Sequence, residues 1–401
     1  MKRFDRQPLR GHGFEQKNLV GTSHLIALNA YRDFFRRSTE AIPRYSWRLL
    51  VLSVVYNRRM ENRGHDMGIE TRNLGTSGVA ATVLGFGGAT LGGVGDRVSE
   101  SEADDVVHSA FAAGIRYFDT APLYGHGLSE KRLGRTLAAL PRDEFVLSTK
   151  VGRLLVSQDE GQRYAGMRDS EPFAIRYDYS YDAVRQSVES SLERLGLDRI
   201  DVLLCHDIDV WTHGDEQQTI FEVAANGALP ALRDLREQGV IRAIGLGVNE
   251  WEVCVRVLDT MDVDCFLLAG RFTLLEQTPL DEMLPRCVAE EVSVIIGGPY
   301  NSGLLANADR RRATYDYKPA PDHLWDKAQR IREVCSGHSV DMRAAALQYP
   351  LLHPAVAAVI PGMRSKEEVQ TNLRLMGVDI PSALWTELDD AGLVRGLSDV
   401  G

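Results

Sequence analysis

From Leu84 onward, short apolar runs alternate with stretches whose apolar residues recur every three or four positions. The runs are Val83–Gly87, Arg116–Asp119, Phe145–Lys150, Asp201–His206, Arg242–Gly247, Cys265–Gly270, Val292–Gly297 and Ala357–Pro361. Most are rich in Val, Ile, Leu and Phe without polar alternation, the pattern of strands buried on both faces. The stretches between them read as helices. Ser99-Glu100-Ser101-Glu102 has the spacing of a capping box and predicts a helix ending near Gly114. Ser129–Leu140 carries Leu133, Leu137 and Leu140 and stops at Pro141. Tyr181–Leu195 repeats through Val184, Val188, Leu192 and Leu195, and Leu229–Gln238 leads to Gly239 as a C-cap. Ser365-Lys366-Glu367-Glu368 predicts a second capping box.

Strand–helix units joined by short links predict a parallel sheet, and eight of them favour closure. The expected fold is therefore α/β, a (β/α)8 TIM barrel over residues 71–401. Two links are long, Val151 to Ser180 and Pro299 to Pro321. Both follow strands, so both are expected at the C-terminal mouth as walls of a site.

Composition narrows the function classes. The net charge of −10 is uneven: residues 1–66 hold 13 Lys/Arg and 6 Asp/Glu, a balance of +7, which leaves −17 on the remainder. An acidic body argues against nucleic-acid binding. The five cysteines form no CxxC pair and are odd in number, which predicts reduced thiols and a cytoplasmic protein. Residues 1–70 read as a basic extension, weakly ordered or a gene-model artefact with Met67 as the biological start. The apolar run Leu49 to Tyr56 is too short to span a bilayer. Flanking arginines could hold it at a membrane surface, but an extension without membrane contact is the preferred reading.

Three apolar runs end in Asp119, Lys150 and His206, and Tyr124 lies just past the first. Barrel enzymes keep their chemistry at such strand ends. Taken singly, Asp119 reads as a turn cap, Tyr124 as a rim residue, Lys150 as a surface charge and His206 as a buried histidine. Together they suit proton transfer at a carbonyl oxygen. A tyrosine titrates near pH 10 (about,) and needs a neighbouring cation to work near neutrality. Lys150 can be that cation, Asp119 can hold it, and His206 can orient a substrate oxygen or relay the proton. No metal is expected: His206, Asp207 and Asp209 lack a partner cluster, and HExxH is absent. Gly85-Phe86-Gly87-Gly88 and Gly245-Leu246-Gly247 are not GxGxxG, so no Rossmann domain is expected. Cys205 and His206 are strand neighbours and should face opposite ways. Phosphate-binding candidates are Asn301-Ser302-Gly303-Leu304 after the seventh run and Pro361-Gly362-Met363-Arg364-Ser365 after the eighth. Arg364 alone reads equally well as a solvated charge.

Several of these segments carry a resemblance. Asp119-Thr120-Ala121-Pro122-Leu123-Tyr124-Gly125 running into Ser129-Glu130 and Leu133-Gly134, Ser148-Thr149-Lys150, Leu195 to Asp201 before His206, and Gly239 to Gly245 are similar to the aldo-keto reductase superfamily. The likeness runs from about Leu74 to the C-terminus. It implies a (β/α)8 barrel, a tetrad of Asp119, Tyr124, Lys150 and His206, and NAD or NADP as cofactor. Cofactor contacts are implied at Asn249, Tyr300, Ser302, Gly303, Leu304, Gly362, Arg364, Glu368 and Asn372. Tyr124 to Glu130, Leu268 to Leu275 and Tyr300 to Leu305 further resemble the branch of L-fucose, D-threo-aldose 1- and pyridoxal 4-dehydrogenases, which oxidise cyclic hemiacetals to lactones.

There are departures. The family's Ser-Asn after strand five appears as Gly247-Val248, with Asn249 one place later. Its strand-six glutamine is Ala269, and its nicotinamide-stacking aromatic falls at Gly297, with Tyr300 as a replacement. The arginine that grips a 2′-phosphate maps to Glu368, which tilts the expectation toward NAD, against Arg364. The expected activity is oxidation of an aldose or other cyclic hemiacetal. The alternatives are an NADPH-dependent reductase of small aldehydes or ketones, and a non-catalytic nucleotide-binding regulatory subunit docked to a membrane partner. The expected partner is a small carbonyl or sugar; these residues say nothing of oligomers.

Overall fold

The computed structural model describes residues 68–163 and 166–395. Readings made on residues 1–67, including the apolar run Leu49 to Tyr56 and the start at Met67, lie outside these. All eight apolar runs form strands: β1 (Phe86–Gly87), β2 (Tyr117–Asp119), β3 (Val146–Val151), β4 (Val202–His206), β5 (Ala243–Val248), β6 (Cys265–Ala269), β7 (Ser293–Gly297) and β8 (Val356–Ile360). They are parallel and adjacent in chain order. The run Val83–Gly87 spends most of its backbone on closing the ring. Gly85 N–H donates to the Val359 carbonyl at 2.9 Å, Val359 N–H to Val83 at 2.9 Å, and Gly87 N–H to Pro361 at 3.1 Å. The fold is thus the expected (β/α)8 barrel.

Successive strand residues face opposite ways, and the core divides accordingly. Tyr117, Val146, Val202, Leu204, Cys265, Leu267 and Ile295 form one cluster inside the barrel. Phe118, Leu147, Leu203, Cys205, Phe266, Leu268 and Ile296 form the other, against the helices. Cys205 therefore faces outward, away from His206. All five cysteines are buried free thiols.

A hairpin, Thr71–Asn73 with Ala80–Thr82, closes the floor. It puts Leu74, Val79 and Ala81 into the inner cluster. Arg72 donates to the carbonyls of Leu351 and Val356 at 3.0 and 2.7 Å, and Gly75 N–H to Ser293 Oγ at 2.8 Å. These contacts lie at the starts of β7 and β8, which leaves the strand C-termini for chemistry.

Helix Glu100–Ala112 has the expected capping box between Ser99 and Glu102. Helix Leu128–Leu137 ends three residues early, in a turn before Pro141. The second capping box differs from expectation. Ser365 Oγ accepts from Glu368 N–H at 3.3 Å, but the Glu368 carboxylate takes the N–H of Arg364, not of Ser365. The Arg364 guanidinium, 2.9 Å away, draws it there. The two long links each hold a short hairpin, Arg153–Val156 with Ala174–Tyr177 and Thr314–Tyr315 with Lys318–Pro319. Among the described residues no helix is long and apolar enough to cross a membrane.

All eight barrel strands, the floor hairpin and the described helices between them lie within residues 68–395. A protein beginning at Met67 is therefore expected to remain folded and active, as judged by its melting temperature and turnover. Insolubility or loss of turnover would place part of the core before that point.

Candidate active site

β2 ends in Asp119 and β3 carries Lys150 on the same inner face as Ser148. Lys150 Nζ donates to Asp119 Oδ2 at 2.7 Å and to the Thr120 carbonyl at 2.9 Å. Ser148 Oγ donates to Asp119 Oδ1 at 2.7 Å and meets Tyr117 Oη at 3.0 Å. The carboxylate is thus held at both oxygens. Lys150 Nζ also stands 4.8 Å from the centroid of the Tyr124 ring. The His206 ring, from the end of β4, meets the Tyr124 ring edge-to-face with centroids 6.2 Å apart. The four residues singled out in the sequence come together at one end of the barrel.

Two glycines make this geometry possible. A Cβ on Gly247 would lie 3.0 Å from Lys150 Cε, so the bare β5 backbone gives the lysine stem its path. A Cβ on Gly92 would lie 2.3 Å from the Tyr124 carbonyl carbon, so the loop after β1 packs backbone to backbone against the tyrosine turn. Tyr124 N–H and the Tyr124 carbonyl are fixed by Ala121 and Ser129 at 3.1 Å each.

The charges are set by burial and by one another. Burial works hardest against the Lys150 ammonium, yet Asp119 and Tyr124 together overcome it and hold its pKa above the ordinary lysine value. The packed surroundings of the Tyr124 hydroxyl push its pKa up, and Lys150 pulls the other way. Burial, helped by Arg153 and Lys150, pushes His206 well below the usual histidine range. The site holds a charged lysine, a tyrosine hydroxyl and a neutral imidazole, suited to moving one proton at a substrate oxygen.

A second set of residues is not legible from the sequence. Buried Arg153, from the hairpin after β3, pairs with buried Asp207. In sequence Asp207 reads only as a metal candidate. Its Oδ2 lies 3.2 Å from His206 Nε2, and its Oδ1 accepts from Asn249 Nδ2 at 3.1 Å. Asn249 N–H donates to Asp209 Oδ2 at 2.8 Å. The one local signal is a pair of aspartates beside a strand-end histidine; nothing near Arg153 in sequence points to Asp207.

The cofactor candidates fall into groups. Tyr300 Oη donates to Asn372 Oδ1 at 2.7 Å, which joins the loop after β7 to the helix after β8. Asn301, Ser302 and Gly303 have φ of 47°, 54° and 97°, a left-handed turn at the end of β7. The Leu304 side chain is fully buried in the core, so only its backbone is available. Gly362 lies where β8 meets β1, with space for a Cβ taken by Thr90. Arg364 is held by Glu368 at 2.9 Å and by Asp96 at 2.8 Å. Glu368 therefore acts first on Arg364, tempering its charge. Asn249 Nδ2 donates to Asp207 Oδ1 at 3.1 Å.

A nicotinamide dinucleotide fits this donor set. A left-handed backbone turn after β7 and a half-exposed arginine at the helix start after β8 occupy the phosphate-binding end of this architecture. Gly298 has nothing within 4 Å of where its Cβ would be, and leaves a side-chain-free stretch beside them. A separate hollow of about 370 Å³, lined by Thr76, Arg236, Arg242, Asp262, Asp264 and Glu290 among others, lies at the opposite mouth, away from the tetrad.

Residues 83–392 match the Aldo/keto reductase family. The chain is 40% identical over 325 residues to D-threo-aldose 1-dehydrogenase of a Pseudomonas species, covering 79% of this chain and 96% of that one. It is 38% identical over 336 residues to pyridoxal 4-dehydrogenase of Microbacterium luteolum, covering 81% and 98%. Among solved structures, the holo form of aldo-keto reductase AKR11C1 from Bacillus halodurans superposes with a TM-score of 0.62 at 26% identity, covering 82% and 97%.

Proposed function

The chain belongs to the aldo/keto reductase family, and we propose that within it this protein oxidises the anomeric carbon of an aldose, or another cyclic hemiacetal, to a lactone. At the coarser level it is an NAD(P)-dependent oxidoreductase acting on CH–OH or carbonyl groups of a small molecule. The observation that carries the finer reading is the clamped Lys150 ammonium, held by Asp119 at 2.7 Å and set against the Tyr124 ring, in a chain 40% identical to an aldose dehydrogenase.

Oxidation of a hemiacetal carbon removes a hydride from carbon and a proton from its hydroxyl, leaving a lactone carbonyl. Bound NAD(P) supplies the hydride acceptor. The protein's own task is the proton and the orientation. Tyr124 and His206 flank the position of the substrate oxygen. Lys150 favours negative charge on the tyrosine oxygen as the proton leaves, and Asp119 keeps the ammonium from turning away. The buried ion pair is pre-set, so little reorganisation accompanies proton transfer.

The Asp96–Arg364–Glu368 arrangement supports NAD as the preferred cofactor. A carboxylate within about 4 Å of a phosphate dianion is repelled by a few kcal/mol at an effective dielectric near 20. Glu368 also neutralises the nearest arginine. Glu368→Arg is expected to raise NADP use relative to NAD by about tenfold or more, or about 1.4 kcal/mol. The ratio of kcat/KM for the two cofactors, before and after substitution, measures this. A strong wild-type preference for NADP would mean that Arg364 dominates despite its partners.

The test of the activity is a screen of aldoses, pyridoxal and small aldehydes with both cofactors, in both directions. Lactone formation from an aldose is the expected result. Turnover confined to aldehydes with reduced cofactor would make the protein a reductase. Cofactor binding without any turnover would make it a regulatory subunit.

A further inference from the structure

Among the large apolar side chains exposed in the described residues, the two aromatic ones, Trp211 at 39% and Tyr317 at 73%, both lie on loops of the barrel mouth. Trp211 belongs to the short helix Val210–His213 after β4, and its N–H donates to Glu250 Oε2 at 2.8 Å. Tyr317 lies at the tip of the hairpin Thr314–Tyr315 with Lys318–Pro319, after β7. Asp316 and Tyr317 form that tip with φ of 49° and 60°, a turn that ordinarily takes Asn or Gly. Strain of this kind persists where the surroundings hold it, and here Arg271 does so. Arg271 follows the end of β6 by two positions and donates to Asp316 Oδ1 and Oδ2 at 3.1 Å each. Its guanidinium also stands 5.9 Å from the centroid of the Trp211 ring and 5.8 Å from that of Tyr315. Tyr315 Oη in turn donates to the Glu276 carboxylate. The loops after β4, β6 and β7 thus meet in one wall, across the end of β5.

Single exposed apolar residues are ordinary, but an aromatic face with a few fixed polar groups at the mouth of a barrel has the composition of a ligand wall. A guanidinium has five N–H groups. Arg271 spends at most three of them, on Asp316 and on Tyr315 Oη at 3.4 Å. The side chains of Arg271 and Asp316 are 18% and 35% exposed, so donors and acceptors stand side by side within reach of solvent. Neighbouring hydroxyls of a sugar each donate and accept, and a pyranose also presents faces of C–H groups. Asp316 meets the charge of Arg271, which matches the pair to an uncharged, hydroxyl-rich ring. The end of β6 lies diametrically across the closed ring from the end of β2, which precedes Tyr124. We propose that Trp211, Arg271 and Asp316 form a substrate subsite for the far side of a pyranose, with Trp211 against its C–H face and the Arg271–Asp316 pair on neighbouring hydroxyls, while the anomeric carbon lies at Tyr124 and His206. This rests on the reading of the protein as a dehydrogenase of cyclic hemiacetals. It adds what selects a ring-closed sugar over a short aldehyde.

The two enantiomers of 1,5-anhydrogalactitol are pyranose rings with no anomeric hydroxyl, so their binding to the full chain with NAD present is read without turnover. Tetrahydropyran, the same ring with no hydroxyls, is the reference, and ligand NMR titration gives the affinities. Trp211→Ala is expected to weaken the tighter enantiomer about fivefold to tenfold, the scale of one aromatic contact, and Trp211→Phe to restore most of that. Arg271→Met keeps an unbranched stem and should weaken the same enantiomer by a similar factor, with tetrahydropyran little changed. Equal weakening of both ligands would mean that the hairpin had only loosened, and would overturn the part given to Arg271. In turnover, Trp211→Ala should raise KM for the best aldose while kcat changes by less than about twofold, the mark of a group that binds without entering the chemistry. Its selectivity for that aldose over glycolaldehyde should fall in step. No binding to the wild type, or unaltered affinity in Trp211→Ala, overturns the subsite. A fall in NADH affinity in Trp211→Ala with sugar affinity kept would assign the wall to the cofactor and overturn it as well. Anhydrogalactitol binding that Trp211→Ala weakens, in a protein that oxidises no aldose, would sink the activity reading and leave the subsite standing.

Discussion

Tyr124→Phe is expected to lower kcat by about two to four orders of magnitude, the scale of a lost general acid–base group. The substitution removes one oxygen and keeps the ring. The ring makes the contacts that shape the site, with Lys150 Nζ 4.8 Å from its centroid and His206 packed edge-to-face. Its backbone is fixed independently by Ala121, Ser129 and the close approach of Gly92. Folding and cofactor affinity should therefore stay near wild type, as read from the melting temperature and a fluorescence titration with cofactor. A variant within a few-fold of wild type in turnover would remove the Tyr124 hydroxyl from the chemistry and shift the proton to His206 alone.

Lys150→Met should affect both activity and stability. Lys150 and Asp119 are both buried, and the single variant leaves the Asp119 carboxylate in the barrel interior without its cation. Breaking a buried pair from one side costs about 3–5 kcal/mol. Turnover should fall as well, with a changed pH–rate profile, because the charge that eases proton loss from Tyr124 is gone. The two effects can be separated. Lys150→Met combined with Asp119→Asn removes both charges, so much of the stability should return while turnover stays low. Urea unfolding midpoints at a constant slope report the first quantity and kcat the second. If the single variant unfolds at the wild-type midpoint, the pair has no net structural role. If the double variant recovers turnover, Lys150 has no part in the mechanism.

Several features of this protein are legible in its amino-acid sequence alone. The eight apolar runs each form a barrel strand, because a strand covered on both faces must be apolar at successive positions wherever it lies in the ring. Asp119, Lys150 and His206 are legible for the same reason. A polar residue that ends an apolar run marks the strand's exit from the core, and in a parallel barrel all such exits open on one mouth. The outward placement of Cys205 follows from strand alternation.

What the sequence leaves undetermined concerns pairs of side chains that meet only after the ring closes. Arg153 and Asp207 are 54 positions apart, and neither has a local pattern that names the other. Asp96 and Arg364 are 268 apart and meet because β1 and β8 are neighbours only in a closed barrel. Glu368 has the spacing of a capping residue, yet its carboxylate serves Arg364, since a nearby guanidinium competes better for it than the Ser365 N–H does. Periodicity and run ends fix where the chain enters and leaves the core, because burial is decided residue by residue. Which charge faces which is decided by through-space distance across the closed ring, and only the tertiary structure supplies that.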